Sequence, residues 1–174
     1  MLELYARMQD FMNEGGEVLW LILALTILLW TLICERYWYQ LRRHPQRLAA
    51  TLAAWNERRD KNSWYAHAIR EAWLAELELQ LNRFVGLLKT VVAVLPLVGL
   101  LGTVTGMIQV FDVLAVTGTG NPRAMASGVS AATYPTMAGM VAALSGLYFA
   151  ARIERRAQAQ ARIAADRISF LDEE

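Results

Sequence analysis

The 174-residue chain contains few of the side chains that bind metals or form covalent cross-links. Cys34 is its single cysteine, so no disulfide bond can form within the chain. The two histidines, His44 and His67, have no cysteine or carboxylate neighbours at the spacing of a metal site. We therefore expect no metal site and no cofactor, and both histidines to be solvated or packed.

The chain also lacks the short motifs of common enzyme classes. It contains no Walker loop, no dinucleotide fingerprint and no pairing of a nucleophile with a base. Its net charge of +1 does not indicate nucleic-acid binding. We therefore predict a protein that is not an enzyme and has no nucleic-acid partner.

A third absence concerns charge. Residues 18–34, 90–111 and 124–151 contain no Asp, Glu, Lys, Arg or His, in a chain that is 56% hydrophobic. About 20 apolar residues are enough for one helix to cross a bilayer. The sequence therefore predicts an all-α membrane protein with three transmembrane helices in these blocks.

The first block could instead be the core of a secretory signal peptide. The segment before it is mostly acidic, and "ERYWYQ" after it offers no small-residue cleavage site. We therefore predict an uncleaved span.

The basic residues predict the orientation of the spans. They concentrate in 35–89 and 152–174, whereas 1–17 contains only Arg7 and 112–123 only Arg123. Because basic loops stay in the cytoplasm, we expect 35–89 to be a cytoplasmic helical segment and 152–174 a cytoplasmic tail helix. The N-terminal segment and the 112–123 loop would then be periplasmic.

The cytoplasmic segments show a helical pattern. Apolar residues recur every three or four positions, so the spans are expected to continue as long helices. We expect no dissociable regulatory domain in segment 35–89, because it has too few residues to bury a core of its own. The two stripes are Ile69, Trp73, Leu77, Leu81, Phe84 and Leu88, and Ile153, Ala157, Ala161, Ala164 and Ile168.

Small residues line one face of the second and third spans. Such faces let helices approach closely in lipid, so we predict a helix-packing role for them. The first span is bulky instead (Leu21, Ile22, Leu25, Leu28, Leu29, Ile33) and is expected to face lipid or the exterior of a homo-oligomeric ring. The predicted packing residues are Gly99, Gly102, Gly106, Gly128, Ala132, Pro135, Gly139, Ala143 and Gly146.

The hydroxyl side chains of these spans have two readings. Thr103 and Thr136 lie on the small faces and either bond back to their own helices or line a partly hydrated path. Ser130, Thr133 and Tyr134 are further candidates for such a proton pathway, whereas Thr105 points elsewhere. Since the spans contain no Asp, Glu, Lys, Arg or His, a carboxylate-based proton relay would need a carboxylate from another chain.

The runs "LPLVGLLGTVTGMIQVF" and "SGVSAATYPTMAGMVAALSGLY" resemble the ExbB/TolQ/MotA proton-channel family, closest to a compact ExbB-type protein of a TonB system. The resemblance covers about half of the chain. It rests on Pro96, the run from Gly99 to Val104, Gly106, and the segment from Gly128 to Gly139 with Thr136.

The resemblance implies a multi-pass protein of the bacterial inner membrane, surrounded by lipid and assembled as a homo-oligomer, a pentamer. The ring would enclose an ExbD-like partner whose membrane aspartate carries protons, and would energise a TonB-like protein for import of siderophore-iron, haem or cobalamin. It also implies that Thr103 and Thr136 line the pore.

One position departs from the family pattern. Many ExbB proteins carry a glutamate where this chain has Ala131. Either that glutamate is dispensable or Ser130, Thr133 or Tyr134 act with water in its place. The alternatives to an ExbB role are a TolQ-like or other stator subunit for envelope work, and a membrane scaffold that conducts no protons.

Overall fold

The computed structural model describes residues 3, 12, 15–61, 63–117 and 122–168, apart from the side chains of 116, 117, 122–124 and 127. In this part of the chain the regular structure is helical. The helices are α1 (Gly16–Trp38), a π-helical turn (Tyr39–Arg43), α2 (His44–Asn56), α3 (Trp64–Asn82), α4 (Val85–Thr117) and α5 (Pro122–Arg167).

Three helical stretches of the described residues are long and apolar enough to cross a membrane. They are Gly16–Asn56, Trp64–Ala115 and Gly128–Arg167, and each contains one of the three uncharged blocks or most of it. The prediction of an all-helical chain with three apolar helices of membrane-spanning length is confirmed.

Two local features explain where the shorter helices begin. Ser63 caps α3, because its hydroxyl accepts a hydrogen bond from Ala66 N at 3.2 Å. Pro45 lies in the first turn of α2, and its missing N–H falls directly after the π-helical turn, where α-helical bonding is already interrupted. Just before this proline the helix widens, and His44 N–H donates to Tyr39 O, five residues back.

The chain divides into two compact units. Unit 1 is formed by Met1–Trp30 and Lys89–Leu147, and unit 2 by Thr31–Leu88 and Tyr148–Glu174. Unit 1 contains most of the three apolar blocks, and unit 2 contains most of the basic residues.

Unit 2 has a hydrophobic core of its own. Trp55 is 1% exposed, and its ring meets that of Trp73 edge to face at 6.2 Å between centroids. Segment 35–89 does not bury this core alone, because the tail at the end of α5 contributes Ala164 and Ile168 to it. The core residues are Leu48, Trp55, Ala66, Leu77, Ala164 and Ile168.

The tail helix fits its predicted pattern. Ile153, Ala157, Ala164 and Ile168 are buried, which confirms one apolar stripe along the end of α5. Arg70 donates hydrogen bonds to the carbonyl oxygens of Ile168 and Ala165, so this end of α5 is capped by a cation.

The stripe that leads towards the second span is interrupted. Helix α3 ends at Asn82, and Phe84 has a φ of 65°, a left-handed conformation that is strained for a residue with a side chain. The buried Arg36 lies at this break, where its Nη1 donates to Gln80 O at 3.2 Å and its guanidinium lies 5.2 Å from the Phe84 ring centre. The expected continuous helix is therefore two helices joined at 83–84.

The two histidines differ in burial. His67 is exposed, whereas His44 is 2% exposed and packed inside unit 2. Gln40, one turn before it, donates from Nε2 to Ile153 O at 3.0 Å. Among the described residues, Gln40 Oε1 and His44 Nε2 are buried polar atoms with no hydrogen-bond partner.

Candidate functional site at the crossing of α4 and α5

The backbones of α4 and α5 approach closely at two glycines of unit 1. A Cβ atom on Gly139 would lie 2.7 Å from the Leu95 carbonyl oxygen. A Cβ atom on Gly99 would lie 3.0 Å from both Pro135 O and Thr136 Cα. Because backbone atoms cannot move aside as a flexible side chain can, a Cβ atom on Gly139 would force the helices to shift, and one on Gly99 would make an unusually tight contact.

The other small residues extend this contact along both helices. Gly106 faces Ala132, with 2.6 Å between a built Cβ and the alanine Cβ, and Gly102 faces the buried ring of Pro135. Farther along, Gly128 faces Val110. The structure thus brings the predicted packing residues of the two spans together, as a face of small residues suits helices in lipid.

The first span also packs on these glycines, which was not foreseen from the sequence. Val18 of α1 lies at Gly102, and Leu29 of α1 lies at Gly146. Leu21 and Leu28 are exposed as expected, but the expectation that α1 faces outward was wrong for Ile22, Leu29 and Ile33, which are at most 4% exposed. Bulky apolar residues occur on all sides of α1. Their pattern therefore does not show which side faces lipid and which side packs against the glycines of another helix.

Thr136 makes a hydrogen bond across the crossing. Its Oγ1 donates to the Gly99 carbonyl oxygen at 3.0 Å, so the hydroxyl joins α5 to α4 within this close crossing. Neither reading of the sequence included this partner. The bond is possible because Gly99 has no side chain to cover its own carbonyl.

The remaining hydroxyls bond within their own helices. Thr103 Oγ1 donates to Leu100 O at 2.7 Å, and Thr133 Oγ1 donates to Ser130 O at 2.7 Å. Thr105 bonds in the same way to Leu101 O at 3.0 Å. The side chains of Ser130 and Thr133 are exposed, and those of Thr103 and Tyr134 are half-buried. Among the candidate pathway residues, Thr136 thus differs from these threonines in the partner of its hydroxyl.

Two prolines leave backbone oxygens free of their usual helical bonds. Pro135 has no N–H to donate to Ala131 O, and Pro96 has none for Val92 O. The oxygen of Ala131 therefore lies one turn before the crossing, at the position where the family pattern places a glutamate. The Ala131 oxygen and the threonine hydroxyls are thus polar atoms in a span that contains no charged side chain.

The fold and this crossing define a class: a multi-pass helical membrane protein whose second and third spans pack through glycines and carry hydroxyls but no Asp, Glu, Lys, Arg or His. Residues 42–165 match the model of the MotA/TolQ/ExbB proton channel family. The match covers more than half of the chain, and the chain belongs to that family. It is a multi-pass protein of the bacterial inner membrane. The family is described as a proton channel family, not as a class of enzymes.

Curated relatives carry ExbB names. The chain is 42% identical over 73 residues to the biopolymer transport protein exbB1 of Vibrio cholerae, which is 41% of this chain and 32% of that protein. It is 32% identical over 173 residues to the putative biopolymer transport protein ExbB-like 1 of Synechocystis sp., covering 81% of this chain and 68% of that protein. It is 26% identical over 163 residues to a Helicobacter pylori protein of the same name, covering 84% and 86%.

Two of the relatives are much longer than the region that matches this chain. The chain spans 32% of the Vibrio cholerae protein and 40% of a second Synechocystis relative, ExbB-like 3. The resemblance that the sequence motifs indicated is confirmed at the level of the family.

Proposed function

We propose that this chain is the ExbB-type subunit of a proton-driven motor in the bacterial inner membrane. In this proposal an ExbD-like partner supplies a membrane aspartate, and the complex energises a TonB-like protein for import of siderophore-iron, haem or cobalamin across the outer membrane. The names of the curated relatives favour this branch over a TolQ-like role in envelope work.

The observation that carries the proposal is the hydroxyl of Thr136 at a crossing of two spans that contain no Asp, Glu, Lys, Arg or His. A charged side chain at the bilayer centre costs at least about 2.5 kcal/mol, and a proton that crosses as a bare charge meets a cost of the same kind. A carboxylic acid carries the proton as a neutral group, and a threonine hydroxyl that turns from its carbonyl partner to the carboxylate can solvate the anion after release. In this proposal the chain contributes the hydroxyl groups, and a second chain contributes the carboxylic acid.

The proposed assembly is a ring of this chain, a pentamer, around the partner's transmembrane helices. Large apolar side chains of α4 and α5 remain exposed in the single chain and would contact lipid or neighbouring helices of the ring. They include Leu97, Leu101, Val104, Met137, Val141 and Leu144.

We propose the topology that the basic residues predict. The spans are 18–34, 90–111 and 124–151, with 1–17 and 112–123 in the periplasm and 35–89 and 152–174 in the cytoplasm. The concentration of arginine and lysine in the last two segments supports this orientation.

Proton flux into liposomes under an imposed pH gradient tests the function. Three preparations are compared: this chain alone, the chain with its ExbD-like partner, and the chain with a partner whose membrane aspartate is changed to asparagine. We expect flux above the lipid background in the second preparation only. Strong flux from the chain alone would contradict the shared site, and no flux in any preparation would favour a non-conducting scaffold.

A further inference from the structure

Arginines cluster in unit 2 just beyond the ends of two apolar blocks. Residues 35–47 follow the first block, residues 148–156 include the end of the third, and together they contain seven arginines and two glutamates. One of the glutamates, Glu35, is already paired with Arg36 at 2.6 Å. The region therefore has a large excess of positive charge at the boundary between apolar and polar sequence.

Two of these arginines are held by tyrosines. The guanidinium of Arg156 lies 5.2 Å from the ring centre of Tyr37, and Arg152 Nη1 donates to the Tyr148 hydroxyl at 3.2 Å. Tyr148, Arg152 and Arg156 follow one another at intervals of four residues, so they share one face of α5. Because Arg156 contacts Tyr37, the ends of the first and third apolar blocks lie beside each other.

The chemistry of this face suits a phosphate. Within the described residues, neither Arg152 nor Arg156 forms an ion pair with a carboxylate of the chain. A guanidinium presents several N–H donors in a planar fork that matches the oxygens of a phosphate. Its contact with an aromatic ring leaves those donors free at the edge of the group.

The surroundings of this face suit a lipid rather than a free ion. Tyr148 is 60% exposed and Tyr37 is 38% exposed. Tyrosines are enriched at the headgroup level of membranes because one end of the ring is apolar and the other polar. An acyl chain beside these side chains would continue along the apolar block while its headgroup stayed at the arginines.

We propose that Arg152 and Arg156, positioned by Tyr148 and Tyr37, bind the phosphate of an anionic glycerophospholipid at the arginine-rich end of the spans. This site is separate from the proton path and does not depend on the proposed function. Its ligand is a membrane lipid with a net negative headgroup, because the excess positive charge favours such lipids over zwitterionic ones.

Native mass spectrometry of the intact protein from mixed micelles tests this site. The probes are phosphatidylglycerol, phosphatidylcholine and inorganic phosphate. We expect the protein to retain phosphatidylglycerol in preference to phosphatidylcholine, and inorganic phosphate not to displace it at millimolar concentration. The preference should fall by about fivefold for each arginine changed in Arg152→Gln and Arg156→Gln, the effect of one basic residue near an anionic leaflet.

Arg162→Gln is the matched control. Arg162 lies on the same helix, is exposed, and is six residues beyond Arg156, about 9 Å farther along the axis. It loses the same charge and should keep the preference. Tyr37→Leu, which keeps both charges, should lower the preference if the ring positions Arg156. Equal retention of both lipids by the unchanged protein would overturn the proposal, as would an equal loss in Arg162→Gln or displacement by inorganic phosphate.

Discussion

The two units of the protein hold their helices together with opposite kinds of side chain. In unit 1 the contact is made by glycines, and backbone atoms of Leu95, Pro135 and Thr136 lie within 3.0 Å of where a Cβ atom would stand. In unit 2 the contact is made by large side chains around Trp55. In lipid, apolar side chains gain little by leaving the solvent, so close backbone packing must replace hydrophobic burial.

This difference predicts opposite sensitivities to substitution. Unit 2 should be destabilised by making a residue smaller, because that leaves a cavity in a core. Unit 1 should be destabilised by making a residue larger, because its helices have no space for an added methyl group. Three substitutions, in order of falling effect on stability, can break or sharpen this comparison.

The largest effect is expected from Trp55→Ala in unit 2. Trp55 is 1% exposed, and loss of its ring should lower the free energy of unfolding by about 3–5 kcal/mol. Thermal unfolding in detergent, followed by far-ultraviolet circular dichroism, measures the change. Trp64→Ala is the control, because Trp64 is 82% exposed and its loss should change stability by less than about 0.5 kcal/mol. Equal melting temperatures for the two variants would refute the core in unit 2.

A smaller effect is expected from Gly139→Ala in unit 1. The added methyl group would lie 2.7 Å from Leu95 O, and separating the helices should cost about 1–3 kcal/mol. Gly86→Ala is matched to it, because a Cβ atom there would have no heavy atom within 4 Å and helix propensity favours alanine by about 0.5–1 kcal/mol. The same melting experiment should show one variant destabilised and the other unchanged or stabilised. If Gly139→Ala melts like the unchanged protein, the close crossing is not what holds unit 1 together.

The parts of this fold that repeat along a helix could be predicted from the sequence. Uncharged blocks of membrane length locate the apolar helices, and the spacing of Gly99, Gly102 and Gly106 indicates the face on which the second and third spans meet. The stripe from Ile153 to Ile168 likewise predicts the buried side of the tail. These features depend only on helical periodicity, which one sequence contains.

The features that depend on a particular contact could not be predicted. No pattern shows that Leu29 fills the notch at Gly146, that Phe84 adopts a φ of 65°, or that Gln40 and His44 are buried. The hydroxyls illustrate the same limit, because Thr103 and Thr136 both lie on the small-residue faces of their spans. Their different partners, Leu100 O and Gly99 O, follow from which helix lies opposite each of them.

The smallest effect on stability, and the most informative for function, is expected at Thr136. Thr136→Val keeps the shape and removes one hydrogen bond, and such bonds between membrane helices contribute about 0.6 kcal/mol on average. Thr136→Ser keeps the hydroxyl and is the matched control. Both variants should therefore fold and assemble with the ExbD-like partner.

Proton flux through the reconstituted complexes of these two variants most directly tests whether the Thr136 hydroxyl takes part in proton transfer. We expect Thr136→Ser to conduct like the unchanged complex. We expect Thr136→Val to lose most of its flux while its melting temperature changes little. Normal flux through Thr136→Val would contradict this role, and the hydroxyl at the crossing would then only join the two helices.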